Sequence, residues 1–169
     1  MFVRTAGARD LDAIRALLVE TWHATYDALY GAAKVTEITD EWHSIAALER
    51  QLVLPNADFL VADDGKQLGG VAFAAATADP KIVMLRQLYV RPGLQGSGIG
   101  GMLLEEIEGS FFDSSQLRAE VEERNPKAVA FFLGEGFVQI DRRPVGGLIS
   151  TVLLIFEKPL VFYDAPRLV

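Results

Sequence analysis

The segment VRPGLQGSGIGGMLLEEIE, residues 90–108, limits most what this chain can become. Five of the twelve residues from Val90 to Gly101 are glycine: Gly93, Gly96, Gly98, Gly100 and Gly101. An apolar pattern at helical spacing follows at once. Each glycine in a helix lowers its stability by about 1 kcal/mol relative to alanine. KIVMLRQLYV, residues 81–90, reads as the strand before it. A strand, a glycine-rich loop and a helix starting near Ser97 or Gly98 therefore meet here. The first turn of a helix has unpaired N–H groups and a partial positive charge, which suits an anion. Glycines remove the Cβ atoms that hold a bulky diphosphate off the backbone. A tight turn with close helix packing needs one or two glycines. The larger number points to a pyrophosphate.

The rest of the chain supports one α+β domain over residues 1–169 with a mixed sheet. Residues 2–5 form a short strand. Asp10 is expected to cap a helix in which Leu11, Ile14, Leu17, Leu18 and Trp22 recur at helical spacing, ending at Gly31. A second helical stretch over 36–52 carries Ile38, Trp42, Ile45 and Leu48 on one face. DFLVADDGKQLGGVAFAA is a hairpin signal around Asp64-Gly65. After the glycine segment come a strand at 116–121 and a short helix opened by Asn125-Pro126 and closed by Gly136. Strands at 137–140 and 148–156 follow.

Composition bounds the chemistry. The chain has no cysteine, which excludes disulfides, thiolate metal sites and a cysteine nucleophile. This fits a reducing cytoplasm. The N-terminus lacks a signal-peptide pattern, and no apolar run reaches the length of a membrane span. The net charge of −7 argues against nucleic acid and suits a cationic or amine-bearing partner, although ordinary solubility explains it as well.

Gly96-Ser97-Gly98-Ile99-Gly100-Gly101 also matches the dinucleotide fingerprint G-x-G-x-x-G, with Glu120 and Glu122 about 20 residues on. The architecture disagrees. In the dinucleotide fold the first glycine follows its strand almost directly, whereas Arg91-Pro92-Gly93-Leu94-Gln95 intervene here. Too little chain remains downstream for further βα units. A nucleoside-triphosphate loop fails because no Gly-Lys-Ser/Thr closes the run.

The segment instead resembles the GNAT superfamily of N-acetyltransferases, whose signature is Val-x-Pro-x-x-Gln/Arg-Gly-x-Gly-Ile/Leu-Gly. This chain has Val90, Pro92, Gln95, Gly96, Gly98, Ile99 and Gly100. The family's second motif is matched by Asn125, Ala128, Phe131, Phe132, Gly136 and Phe137. The element order fits from end to end. The resemblance implies a three-layer fold, a sheet of about seven strands with helices on both faces, and acetyl-CoA as co-substrate. It implies that backbone groups of Leu88, Tyr89 and Val90 pair with the pantetheine arm and acetyl carbonyl, where the strand splays from its neighbour. The N–H groups from Gln95 through Gly96, Ser97, Gly98 and Ile99 to Gly100 would hold the pyrophosphate. Asn125 and Phe132 would lie beside the thioester.

The family usually acetylates a primary amine by direct attack. No general base is assigned from the sequence. Glu120 and Glu122 flank Val121 within reach of the cleft, with surface solvation as their expected role. His23 and His43 are expected at partly exposed helix positions. The family's tyrosine proton donor falls at Phe132, which lacks a hydroxyl, so the general acid is also unassigned. That absence keeps open a non-catalytic acyl-CoA-binding or sensing module on the same fold. Trp22, Tyr26 and Tyr30, spaced by four on one helical stripe, and Trp42 offer either a core face or an aromatic wall for a small-molecule or peptide amine. Leu160, Val161, Phe162 and Tyr163 need cover and suggest a homodimer.

Overall fold

The computed structural model describes residues 1–161. Phe162 and Tyr163, half of the segment expected to mediate dimerisation, lie outside the described residues. Seven strands form one sheet: β1 (Phe2–Thr5), β2 (Ala57–Asp63), β3 (Leu68–Ala76), β4 (Ile82–Val90), β5 (Gln116–Glu122), β6 (Val138–Val145) and β7 (Thr151–Pro159). Their order is β1-β2-β3-β4-β5-β7-β6, and among the described residues only the β4–β5 pair is parallel. The helices are α1 (Leu11–Tyr30), α2 (Ala32–Trp42), α3 (Ile45–Val53), α4 (Ile99–Ser110) and α5 (Pro126–Gly134). This is the α+β, three-layer arrangement expected.

Each face of the sheet has its own core. Leu103, Leu104 and Ile107 of α4 and Phe132 of α5 pack with Leu60, Ala72, Leu85 and Val121 on one face. Leu11, Ile14, Leu17 and Leu18 of α1 and Leu48 of α3 pack with Phe59, Val61, Val71 and Phe73 on the other. This is why β3 is buried along almost its whole length. Successive side chains of a strand point to opposite faces, so a central strand covered on both sides needs a continuous apolar run.

Four local readings change. The helical stretch at 36–52 is two helices, broken between them because Ser44 leaves the helical conformation and caps α3, its hydroxyl accepting from the Ala47 N–H at 3.1 Å. Asp10 does precede α1 but makes no side-chain cap there. Its carboxylate instead accepts from the Gly7 N–H at 2.8 Å and from both Arg4 terminal nitrogens at 2.8 Å. The Arg4 guanidinium holds the Asp10 carboxyl down to about 2, against the push of burial. The sixth and seventh strands run further toward the C-terminus than their apolar runs suggest, because they pair with each other along their length. His43 is buried rather than partly exposed.

Candidate active site

The site starts from a register error in β4. The pairing with β3 steps from Phe73–Gln87 to Ala74–Leu85, leaving Arg86 as an extra residue. A bulge bends the strand and re-aims its side chains. Before it, Val83 and Leu85 point into the α4-side core; after it, Leu88 and Val90 do. Gln87 consequently turns to the opposite face, where its amide exchanges two hydrogen bonds with Gln51 of α3 at 2.9 and 3.1 Å. The β4–β5 ladder ends at the same place. Its last rung is Leu85–Ala119; beyond it β4 pairs only with β3 and β5 only with β7.

The fork opens a cleft of about 890 Å³ that runs from Leu88 and Val90 to the start of α4 and to Asn125. The Arg91 N–H donates to the Gly69 carbonyl at 2.9 Å, toward β3. Amide directions alternate along a strand, so the N–H and C=O groups of Val90 and Leu88 face the fork. In agreement, Gln95 Nε2 donates to the Val90 carbonyl from the cleft side at 3.2 Å. By the same rule Tyr89 turns its amide to β3. Leu88 and Val90, not Tyr89, offer backbone groups to the fork.

The glycines divide by purpose. Gly96 (φ +81°) and Gly98 (φ +90°) adopt left-handed backbone, and a Cβ on either would meet open space. They shape the loop and leave its face bare. Gly98 precedes the first turn of α4, whose N–H groups have no partner within the helix. Ser97 ties the loop down by donating its hydroxyl to the Leu94 carbonyl. Gly100 serves packing: a Cβ there would lie 3.2 Å from Phe131 of α5. Ile99 lines the cleft while its side chain belongs to the α4-side core, and the residue is 4% exposed. The side chains of the cleft balance three cations (Arg86, Arg124, Lys127) against three anions (Glu120, Glu122, Glu135). The lining side chains therefore give the cleft no net charge to attract an anion.

Asn125 caps α5, its Oδ1 accepting from the Ala128 N–H at 3.2 Å. An N–H can only donate, which assigns the amide orientation and leaves Nδ2 to donate to the Tyr26 hydroxyl oxygen at 3.2 Å. The Tyr26 proton is then directed elsewhere. Burial pushes the Tyr26 phenol above its ordinary range, so it keeps that proton at neutral pH. Phe132 lines the cleft, but the residue is 7% exposed and its ring packs against Phe131, Phe137 and Phe156.

Across the fork lies a second cavity of about 630 Å³. All four aromatics singled out in the sequence line it. Ring centroids are 4.5 Å apart for Trp22–Tyr26, 5.5 Å for Tyr26–Tyr30 and 5.8 Å for Trp22–Trp42. Trp22 and Tyr26 are also buried core, so the two readings of the stripe hold together. Leu148 and Ile149, from the β6–β7 connection, complete the wall. Glu122 is not a solvated surface residue. It is 6% exposed and accepts from the Tyr30 and Thr151 hydroxyls and from Arg124. Burial raises its carboxyl, but these donors outweigh burial and hold it below the ordinary carboxylate range. Beneath the aromatics, Trp22 Nε1 and both ring nitrogens of His43 are buried without partners among the described residues. Burial, with Arg15 nearby, lowers His43 to about 4 and keeps it neutral.

Comparison with known proteins agrees with this geometry. A model described as an acetyltransferase (GNAT) domain matches residues 26–152 of the 169. No curated protein matches in sequence. Among solved structures, PaiA N-acetyltransferase from Thermoplasma acidophilum, in complex with coenzyme A, superposes with a TM-score of 0.82 at 23% identity, covering 94% of this chain and 98% of that one. A GNAT-family acetyltransferase from Streptococcus pneumoniae gives 0.72 at 20% identity, over 95% and 99%. The putative acetyltransferase YncA from Salmonella typhimurium, with its cofactor acetyl-CoA, gives 0.70 at 21% identity, over 99% and 98%. These identities speak for the fold, and the family model carries the assignment: this chain belongs to the GNAT family of acetyltransferases, whose co-substrate is acetyl-CoA.

Proposed function

We propose that residues 1–169 act as one domain that moves the acetyl group of acetyl-CoA to a primary amine by direct attack. The observation that carries this reading is the fork. Backbone groups of Leu88 and Val90 lie between a bare glycine loop at a helix N-terminus and an aromatic cavity. The loop from Gln95 to Gly100 takes the pyrophosphate through its N–H groups. The Leu88 and Val90 amides orient the pantetheine arm and polarise the acetyl carbonyl. When bound, acetyl-CoA supplies a thioester whose C–S bond gives way as the C–N bond to the acceptor forms.

The chain's own residues manage orientation and protons. Trp22, Tyr30 and Trp42 position the acceptor opposite the fork, where approach geometry supplies much of the rate. Glu120 is exposed at the fork and lines both cavities, so it takes the proton that the attacking amine releases. Glu122, already engaged by three donors, holds α1, β5 and β7 together. Tyr26 stands where the two cavities meet and donates its proton to the departing sulfur, the part that Phe132 lacks the hydroxyl to play. Phe132 and Asn125 then form the wall beside the thioester.

The test is thermal and chemical. Acetyl-CoA should raise Tm, NADH should not, and thiol should be released with a mixed pool of amines. Binding without thiol release under any amine would turn the reading to an acyl-CoA-sensing module. Equal stabilisation by NADH would refute it.

A further inference from the structure

The acceptor cavity holds an unusual charge arrangement at its inner end. Arg86, Glu120 and Glu122 are its charged lining residues. Glu122 is occupied by Tyr30, Thr151 and Arg124. Arg86 and Glu120 are both exposed and, among the described residues, have no ion pair or side-chain hydrogen bond. They are also neighbours by construction. Leu85–Ala119 is the last rung between β4 and β5, and Arg86 and Glu120 are the next residue on each strand. Arg86 is the bulged residue itself. On β5, Leu117, Ala119 and Val121 face the α4-side core, so Glu120 points to the α1 side, where the aromatics stand. A cation and an anion therefore flank the fork, both turned to the acceptor.

This pair discriminates between acceptor charges. A simple ammonium ion meets Glu120 and Arg86 together, and attraction and repulsion of similar size offset each other. A molecule with an ammonium and a carboxylate a few bonds apart satisfies both groups. Arginine's planar fork also matches a carboxylate in two parallel hydrogen bonds.

We propose that Arg86 and Glu120 select an aminocarboxylate acceptor, an α-amino acid with an apolar or aromatic side chain, with Arg86 taking the carboxylate and Glu120 the amino group. This rests on the acetyl-transfer reading above. Trp22, Tyr30, Trp42, Leu148 and Ile149 receive the side chain. A peptide N-terminus or a decarboxylated amine leaves Arg86 without its partner.

The experiment follows thiol release from acetyl-CoA with the common α-amino acids, their methyl esters and the matching decarboxylated amines. For the best amino acid, kcat/KM should exceed that of its ester and its amine by about 100-fold. Arg86→Gln should raise KM for the amino acid by a similar factor and leave the amine unchanged or improved. Arg86→Lys should recover part of the loss. The Tm shift with acetyl-CoA should persist in both variants. A parent enzyme that prefers the amine or the ester, or an Arg86→Gln variant that weakens all three alike, overturns the proposal. Acetylation of other amines but of no amino acid overturns it while sparing the acetyl-transfer reading. No thiol release with any amino acid, ester or amine sinks that reading instead.

Discussion

The two sides of the β4–β5 fork are built on different principles. The glycine-loop side works through backbone: amides of Leu88 and Val90, left-handed Gly96 and Gly98, and the first turn of α4. It comes from one stretch of sequence. The acceptor side works through side chains from α1, α2, β4, β5 and the β6–β7 connection, and it buries groups that titrate. A backbone site is indifferent to pH and intolerant of Cβ atoms. A side-chain site is the reverse. Substitutions should therefore separate the two halves.

The largest effect is expected at Gly98. Gly98→Val places a β-branched residue at φ +90°, a conformation that L side chains rarely adopt, and sets a side chain on the bare face of the loop. Acetyl-CoA binding should fall by about 100-fold or more, a loss of roughly 3 kcal/mol. Calorimetric titration checks this, and a folded variant of normal affinity would end the idea that the loop's backbone is the binding surface.

His43 should show the opposite side's sensitivity to acid. Its folded value of about 4 lies below its unfolded value. As pH falls below about 6.5, the unfolded chain takes up a proton that the folded protein refuses, so stability declines until about pH 4. The full loss is on the order of 3 kcal/mol. His43→Leu removes the titrating ring, and its Tm should decline much less than the parent's from about pH 6.5 to about pH 5, above the range where Glu122 and Asp10 begin to lose their stabilising charge. If the variant and parent decline in parallel, another group carries the acid limb.

Tyr26 probes where the halves meet. Tyr26→Phe deletes only the hydroxyl that Asn125 orients. We expect kcat to drop about 10-fold, toward the lower end of what proton donation contributes, with acetyl-CoA affinity unchanged. Because burial keeps this phenol protonated, the ratio of variant to parent should not vary between neutral and mildly alkaline pH. A pH-dependent ratio, or a loss of affinity equal to the loss of rate, would place Tyr26 outside the chemistry.

How legible each half was follows from the same contrast. The glycine segment could be read because left-handed turns and helix starts restrict residue type at fixed spacing, and Asn125-Pro126 announced its helix for the same reason. The stripe Trp22, Tyr26, Tyr30 was legible as a face but not as core or wall, and it proved to be both. Glu122 looked like a solvated strand residue, because Tyr30 and Thr151, 92 and 29 positions away, bring it hydroxyls that no local pattern announces. Arg86 carried no signal at all.

The sequence by itself determined the order of elements, the loop conformation at Gly96 and Gly98, and the helix start that follows. These depend on local backbone sterics and unpaired amide groups, which residue identity dictates. Tertiary structure alone decided the parity switch at Arg86, the end of the β4–β5 ladder, the burial of His43 and Glu122, and the meeting of Leu148 and Ile149 with the α1 aromatics. Each depends on strand register and on packing between segments far apart in the chain, where a shift of one residue turns every side chain to the other face.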